Sequence, residues 1–592
     1  MENLKTLVIV ESPSKATKIQ EYLGDNYIVM ASYGHITELA KGGKHGLGVD
    51  INNNFKPHYV LSNDKVEVLD KLMLATKKCS QILLASDADR EGEGIAWHLS
   101  KRLEDMGKPI KRMVFNEIKK DKLLKAVKDV RDIDMNLFHS QEARRILDRL
   151  VGFMASPFLM NFFGPKLSAG RVQSVLTRMV IDREREIESF IPEDYWTIQV
   201  KLSSDKNESF TAKYVGKLTD LNSAELVKKS LTNKDYVISE VLKEEEKKYP
   251  QAPLVTSTLQ RIMSKIHGFG AERTMKAAQG LYESGYCTYI RTDSVRVGDD
   301  ALNDVRQWLI DNKYEAPKKP LLYKNKDASQ DAHECIRPSD LTLVPNKNYA
   351  IIDPDEKLVY EAIWKFFIAS QMMPAVYDTL NVTAHPQSDK TFKVKASGKA
   401  LTNNGYMEIL GVEDNNSIDI PSLSVGQAVS LSKNSDLKMD KKQTQSLPRY
   451  SEDKLIKELV NKNIGRPATY ADLLGKITAR SYVEKRGNVY HATVLGKKIT
   501  DELVKYFTFM DYDFTKKMEE QLDEIENGKV NHIDILKKFF PKFKQELGKA
   551  YLTCGGTLCD LCGSPMSTRI TKTGDKFMGC SQYPNCRFTI NK

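Results

Sequence analysis

The chain has little cysteine for its size: eight residues in 592, five of them within the last forty. So sparse a supply excludes a disulfide-built scaffold, and the clustering points to a metal site near the C-terminus. Also missing is any run of the roughly 18–20 consecutive apolar residues that a membrane-crossing segment needs. The opening MENLKTLVIVESPSKA is too briefly apolar for a signal peptide and is interrupted at Glu11. A soluble, intracellular protein with no membrane partner is expected. No sustained repeat or long low-complexity tract is found, and without a G-x-x-x-x-G-K-[ST] phosphate loop an ATP motor is not indicated. Neither sign of charge dominates: 89 Lys and Arg against 79 Asp and Glu give +10, a bias that suits nucleic acid and an ordinary solvated surface equally. What is present is length and apolar content, 41% hydrophobic over 592 residues, more than one core accommodates.

Several domains are therefore expected. TLVIVE (Thr6 to Glu11) reads as a buried parallel strand followed by a Ser-Pro helix start, and QILLAS (Gln81 to Ser86) as another strand before the helical DADREGEGIAWHLSKRL. Two strand-then-helix units predict an open α/β sheet, with RMVFNEI (Arg112 to Ile118) as a further strand closing a domain over residues 4–118. Residues 134–195 turn helical and arginine-rich. Strand-like alternation follows, then a helical block, then more strand-like sequence to about 432. KNSDLKMDKKQTQS reads as a linker, and helices resume from SEDKLIKELV to about 549.

Asp87, Asp89 and Glu91 follow one apolar strand and Glu11 ends another. Sites in open α/β sheets form beyond the carboxyl ends of strands, so the chain could gather all four carboxylates there. Their repulsion would call for a cation, and Mg²⁺ suits oxygen ligands and phosphate substrates.

In GYCTYIRTDS (Gly285 to Ser294), three tyrosines compete for attention. ERTMKAAQGLYESG has helical spacing that packs Tyr282. If YCTYIRT is extended, Tyr289 shares a face with Arg291 while Tyr286 points the other way. A phenol with pKa near 10 is a poor nucleophile, and a guanidinium beside it would stabilise phenolate and phosphorane-like charge.

QEARRILDRL sets Arg145 and Arg149 on one helical face beside Arg144 and Asp148, a spacing that can hold successive phosphates. Ser168, Ala169 and Gly170 offer backbone N–H groups where a helix begins, and Arg171 adds charge there. At the C-terminus, Cys559-x2-Cys562 and Cys580-x5-Cys586 have spacing for tetrahedral Zn²⁺. Basic Arg569, Lys572, Lys576, Arg587 and Lys592 outnumber Asp560 and Asp575 in that tail, and Phe577, Tyr583 and Phe588 are interleaved with them, as in single-strand binders. Cys554 is left over.

Several of these motifs resemble one family. VIVESPSKA with SDADREGEGIAWH resembles the Toprim domain of type IA DNA topoisomerases, and LYESGYCTYIRTDS resembles their active-site segment. The resemblance implies Tyr289 as nucleophile with Arg291 beside it. DAHECIRPSD implies His333 as an active-site residue, with Cys335 an unexpected, oxidisable thiol nearby. By the same resemblance Glu11 and Lys15 lie near the freed 3′-hydroxyl, Mg²⁺ sits on Glu11, Asp87, Asp89 and Glu91, and Zn²⁺ in the ribbon. DNA contacts are implied for His35, Arg144, Arg145, Asp148, Arg149, Ser168, Ala169, Gly170, Arg171, Val172, Gln173, Arg291 and, from IGRPATYADLLGKITARSYV, Arg466.

The implied fold is multidomain α/β and α+β: a Toprim domain, a toroidal core over 134–549 and a zinc ribbon over 559–592. Within the core, 134–195 and 450–549 would be helical and DNA-binding, 196–262 and 350–435 a β-rich arch, and 263–349 the tyrosine domain. The implied activity is ATP-independent relaxation of negatively supercoiled DNA through a 5′-phosphotyrosyl intermediate, by a monomer in the DNA-associated cytoplasm. SAGRVQS is closer to the bacterial topoisomerase I branch, although that branch often carries several ribbons and this chain has one. A topoisomerase III-like decatenase and a Toprim nuclease or primase stay open as alternatives.

Overall fold

The computed structural model describes residues 4–41, 47–206, 208–232, 235–325, 333–345, 347, 350–414, 420–431, 433, 436–571, 573–584 and 586–591. Lys572 and Lys592 of the basic tail lie outside them.

Near the N-terminus four parallel strands run in the order Tyr27–Ala31, Lys5–Val10, Cys79–Leu84, Ile110–Arg112. Side chains alternate across the sheet, so the two central strands feed two cores. Leu7, Ile9, Ile82 and Leu84 pack beneath the helices Val66–Thr76 and Arg90–Leu103. Val8, Val10 and Leu83 face the other way, into a core that also holds Leu281, Tyr282 and Tyr289. One face of the α/β sheet is thus shared with the tyrosine segment, which is how residues some two hundred positions apart come together.

The expected strand over 112–118 is corrected: it runs Ile110–Arg112 only. Beyond it the chain turns to the tyrosine segment, where the Asn116 carbonyl accepts the Tyr289 N–H at 2.8 Å. The expected linker is corrected as well. Leu437–Gln443 is a strand, paired antiparallel with Asp194–Ser203, with Leu437 and Met439 turned to the apolar interior and lysines outward. Six strands close into a ring in the order Asp194–Ser203, Ser209–Tyr214, Val394–Asn403, Ala375–Pro386, Asp235–Lys248, Ala428–Leu431, which pairs back to the first. The helix Pro354–Ser370 belongs instead to the core around Leu281 and Tyr289.

Another core is helical, built from Met135–Phe163, Tyr512–Glu526 and His532–Thr553. The first of these is long and apolar enough to cross a membrane by length and composition. Fourteen of its 29 residues are buried in the protein, including Glu142 and Arg144.

Candidate active site

The site starts from two strand ends. Asp89 caps the helix Arg90–Leu103 by accepting the Gly92 N–H at 2.8 Å. Any Cβ at Gly92 would lie 2.1 Å from the Asp87 carbonyl, so this turn closes only around glycine. Glu11 reaches across from the neighbouring strand and accepts the Asp87 N–H at 2.9 Å. Lys15, on the helix begun by Ser12 and Pro13, is 1% exposed, pairs with Asp87 Oδ1 and lies 4.9 Å from the Tyr282 ring centroid. Two cations thus stand by these carboxylates, the Lys15 ammonium against Asp87 and the Arg291 guanidinium on the Asp89 side. Burial and the Asp87 and Asp89 charges push Glu11 up to about 7 against the pull of Lys15. Burial also raises Asp87, whose Oδ2 is buried without a partner.

Glu91 is treated differently. Although burial opposes it, hydrogen bonds from His35, 3.2 Å away, and Gln141, at 3.1 Å, bring it down to about 2. The four carboxylates line one edge but are not among the side-chain sets whose ligand atoms close to within 4.8 Å. Each is instead engaged by a protein group. The chemistry nonetheless fits a hard divalent cation: oxygen donors, an orphaned Asp87 oxygen and a Glu11 carboxyl that burial and its acidic neighbours push up to about 7.

The tyrosine segment follows the helix Ala271–Glu283 and turns at Gly285, where φ is +80° and a Cβ would meet the Ile118 carbonyl at 2.8 Å. It is not the regular strand expected from the sequence. Single bonds hold it from several sides: Tyr289 N–H to Asn116, Thr288 N–H to the Arg337 carbonyl at 2.9 Å, and Thr292 N–H to Thr256 Oγ1 at 2.9 Å. The Tyr289 hydroxyl donates to Asp89 Oδ2 at 2.5 Å, and Arg291 Nη1 lies 3.8 Å from that same oxygen. Tyr286 turns away to Tyr360, with ring centroids 6.3 Å apart. Tyr282 is fully buried, edge-on to Tyr289. Burial, then Asp89 and Asp87, raise the Tyr289 phenol well above its usual value, outweighing Arg291. The guanidinium that the sequence pairs with the phenol is, at rest, turned to a carboxylate.

His333 lines a cleft of about 130 Å³ together with Asp89, Glu91, Arg144, Arg291 and Arg466. That is well below the roughly 300–1,000 Å³ of an ordinary ligand pocket, because ion pairs fill it. Arg90 bonds Asp523 at 2.9 Å and pairs with Glu526 at 3.0 Å, Arg466 bonds Asp523, and Arg144 pairs with Glu519 at 3.2 Å. Asp523, Glu526 and Glu519, from the helix Tyr512–Glu526, escaped the sequence reading because nothing local marks them. Arg90 sits inside the D-x-D-x-E run and could have been noticed. Cys335 is fully buried and pushed up to about 12 by burial, so the expected oxidisable thiol is a protonated core residue.

Among the other expected DNA contacts, Arg171 faces inward, its side chain fully buried against Asp148 at 3.1 Å and Glu519 at 2.8 Å. Arg145 and Arg149 are partly exposed and donate to the Thr37 and Leu39 carbonyls at 3.4 and 3.2 Å. The N–H groups of Ser168, Ala169 and Gly170 already meet the hydroxyls of Tyr482, Ser156 and Ser174 at 2.8, 3.0 and 3.1 Å. Val172 is buried, and Gln173, in the first turn of Arg171–Glu188, keeps an unpartnered Nε2.

In the C-terminal three-stranded sheet, Cys559 and Cys586 sulfurs lie 3.6 Å apart and those of Cys562 and Cys580 3.4 Å apart, all four closing to within 4.8 Å. Sulfurs around a tetrahedral ion at about 2.3 Å are roughly 3.7 Å apart, so the cage has the size for Zn²⁺.

Comparison with known proteins places these features. Residues 6–118 match the Toprim domain, 132–537 the DNA topoisomerase family and 556–592 the topoisomerase DNA-binding C4 zinc finger. Among solved structures, full-length topoisomerase I from Thermotoga maritima, in a monoclinic crystal form, is 33% identical. That likeness has a TM-score of 0.82 and spans 99% of this chain and 97% of the other. A Toprim carboxylate cluster takes Mg²⁺ and a four-cysteine ribbon takes structural Zn²⁺. The chain belongs to the DNA topoisomerase family, in its bacterial type IA topoisomerase I branch, and is a DNA-binding isomerase that relaxes supercoiled DNA by the type IA mechanism.

Proposed function

We propose that Tyr289 is the nucleophile of this isomerase. Its phenolic oxygen attacks a phosphorus in single-stranded DNA, the bond from phosphorus to the 3′-oxygen breaks, and a 5′-phosphotyrosyl link and a 3′-hydroxyl result. Asp89 accepts the phenol's hydrogen bond at rest and takes its proton as the oxygen attacks, and Arg291 is placed to stabilise charge on the transferring phosphoryl group once it turns from that carboxylate. Glu11, carrying a proton near neutral pH, delivers it to the leaving 3′-oxygen, with Lys15 beside it. Glu11, Asp87, Asp89 and Glu91 would hold Mg²⁺, which supplies charge neutralisation that positions DNA for religation. His35, Arg144, Arg145, Asp148, Arg149, Arg466 and the segment 168–173 guide the strand, Arg171 from within by anchoring that helix start to Asp148 and Glu519, and His333 lies by the reacting phosphate.

The domain division that supports this work is 4–118, 134–549 and 559–592. Relaxation needs no ATP, because the phosphotyrosyl link conserves the bond energy and supercoiling supplies the drive. The protein acts as a monomer on cytoplasmic DNA, with relaxation of negative supercoils favoured over decatenation.

The hydrogen bond from Tyr289 to Asp89, joining segments two hundred residues apart, carries this reading. Trapping the covalent complex on labelled single-stranded DNA tests it. Wild type should yield a 5′-linked adduct, and Tyr289→Phe should bind without forming one. An adduct persisting in the variant, or mapping to Tyr286, sinks the assignment.

A further inference from the structure

Away from the cleft, a second set of ligand-type side chains closes on itself. His139 and Glu142 stand one turn apart on the helix Met135–Phe163, on the same face, and His532 begins the helix His532–Thr553. His532 Nε2 lies 3.5 Å from Glu142 Oε2, and one ligand atom from each of the three residues falls within 4.8 Å of the others. The other carboxylate oxygen of Glu142 accepts the Tyr59 hydroxyl at 3.2 Å, the kind of outer partner that orients a metal-binding carboxylate. Glu142 is 7% exposed, and among the described residues no lysine or arginine is recorded in an ion pair with it.

Packing alone could stack two histidines, but their geometry goes further. The His139 and His532 ring centroids are 4.2 Å apart with planes at 16°. From a metal–nitrogen distance of about 2.0–2.1 Å, two imidazoles at right angles around one ion sit roughly 4.5 Å apart, and at the tetrahedral angle about 5 Å. The spacing is within reach of one ion, but planes at 16° aim the in-plane lone pairs nearly parallel, so one ring must turn to bind; two imidazoles with one carboxylate then form the facial set that leaves the remaining positions open. Both histidines are partly exposed, so solvent can reach those positions. Nitrogen donors disfavour Mg²⁺ and favour later first-row ions.

We propose that His139, Glu142 and His532 bind a divalent first-row transition ion such as Co²⁺ or Zn²⁺, clamping the first and last long helices of the helical core. Tyr59 ties that clamp to the Toprim domain, and Gln141, next to Glu142, holds Glu91 of the catalytic cleft.

The test uses the full chain, stripped by chelator and titrated with Co²⁺ in excess Mg²⁺, which keeps the carboxylate cleft occupied. Metal analysis after desalting should find two equivalents in wild type, one with thiolate charge-transfer bands and one without. His139→Ala/His532→Ala should retain only the thiolate-bound equivalent. Cys559→Ser/Cys562→Ser should retain only the other. The second equivalent should raise the Tm of wild type and leave that of the histidine variant unmoved. Should the double alanine variant fail to fold, His532→Gln alone must lower Co²⁺ affinity at this site at least tenfold. A single equivalent in wild type, or two in the histidine variant, overturns the proposal.

Discussion

Two carboxylates near the cleft, Glu519 and Glu11, both pay for burial and meet that cost differently. Glu519 is fully buried between Arg144 and Arg171, and although burial opposes ionisation, those guanidiniums hold its carboxyl well below the usual range. Glu11 is enclosed as well, yet shares the Lys15 ammonium with Asp87, and is pushed up to about 7. The first charge is balanced within the protein and fixes helices in place. The second is left short, and its balance waits for an added cation. Where a buried carboxylate is fully paired it reads as architecture, and where it is not it reads as a site.

The comparison breaks hardest at Glu519. In Glu519→Gln two buried guanidiniums lose their shared counter-charge, which should cost about 3–5 kcal/mol. Hydrogen exchange over the helix Tyr512–Glu526 should lose protection to match, and a change below about 1 kcal/mol would show that the arginines find other partners.

On the Glu11 side the expected effect is a proton. Its folded value of about 7 lies above the ordinary 4.5, so the metal-free fold binds a proton that the unfolded chain releases. Glu11 therefore costs stability progressively as pH rises through that window. Mg²⁺ binding near pH 6 should release up to about one proton, and near pH 8.5 almost none. Calorimetry in buffers of different ionisation enthalpy reads this directly. Equal release at both pH values, or unchanged release in Glu11→Gln, would count against it.

The smallest effect concerns the ribbon, whose thiolates are likewise balanced only by metal. It leans on the helical core through Lys544, which donates to the Cys562 carbonyl at 2.7 Å. Removing zinc should weaken single-strand DNA binding severalfold while cleavage persists. Complete loss of cleavage would mean that the ribbon shapes the active site.

These contrasts also mark what was readable beforehand. The strand Lys5–Val10 and the carboxylates after Leu84 were legible because apolar runs ending in acidic residues are local patterns. So were the four cysteines, whose spacing alone specifies a cage. The partners of Arg171 were not legible, because they are Asp148 and Glu519, 348 residues away, and no window of sequence contains both. The chain beyond the strand end at Arg112 and the irregular tyrosine segment meet at the bond between Asn116 and Tyr289. Neither pattern carries a trace of it.

The hydrogen bond between Tyr289 and Asp89 has a further meaning once the tyrosine is esterified. A phosphotyrosine has no hydroxyl hydrogen to donate. If Tyr289 is the nucleophile as proposed, cleaving DNA removes this one bond across the cleft while the Tyr289 N–H bond to Asn116 and the shared core stay in place, and religation returns the hydrogen that restores it.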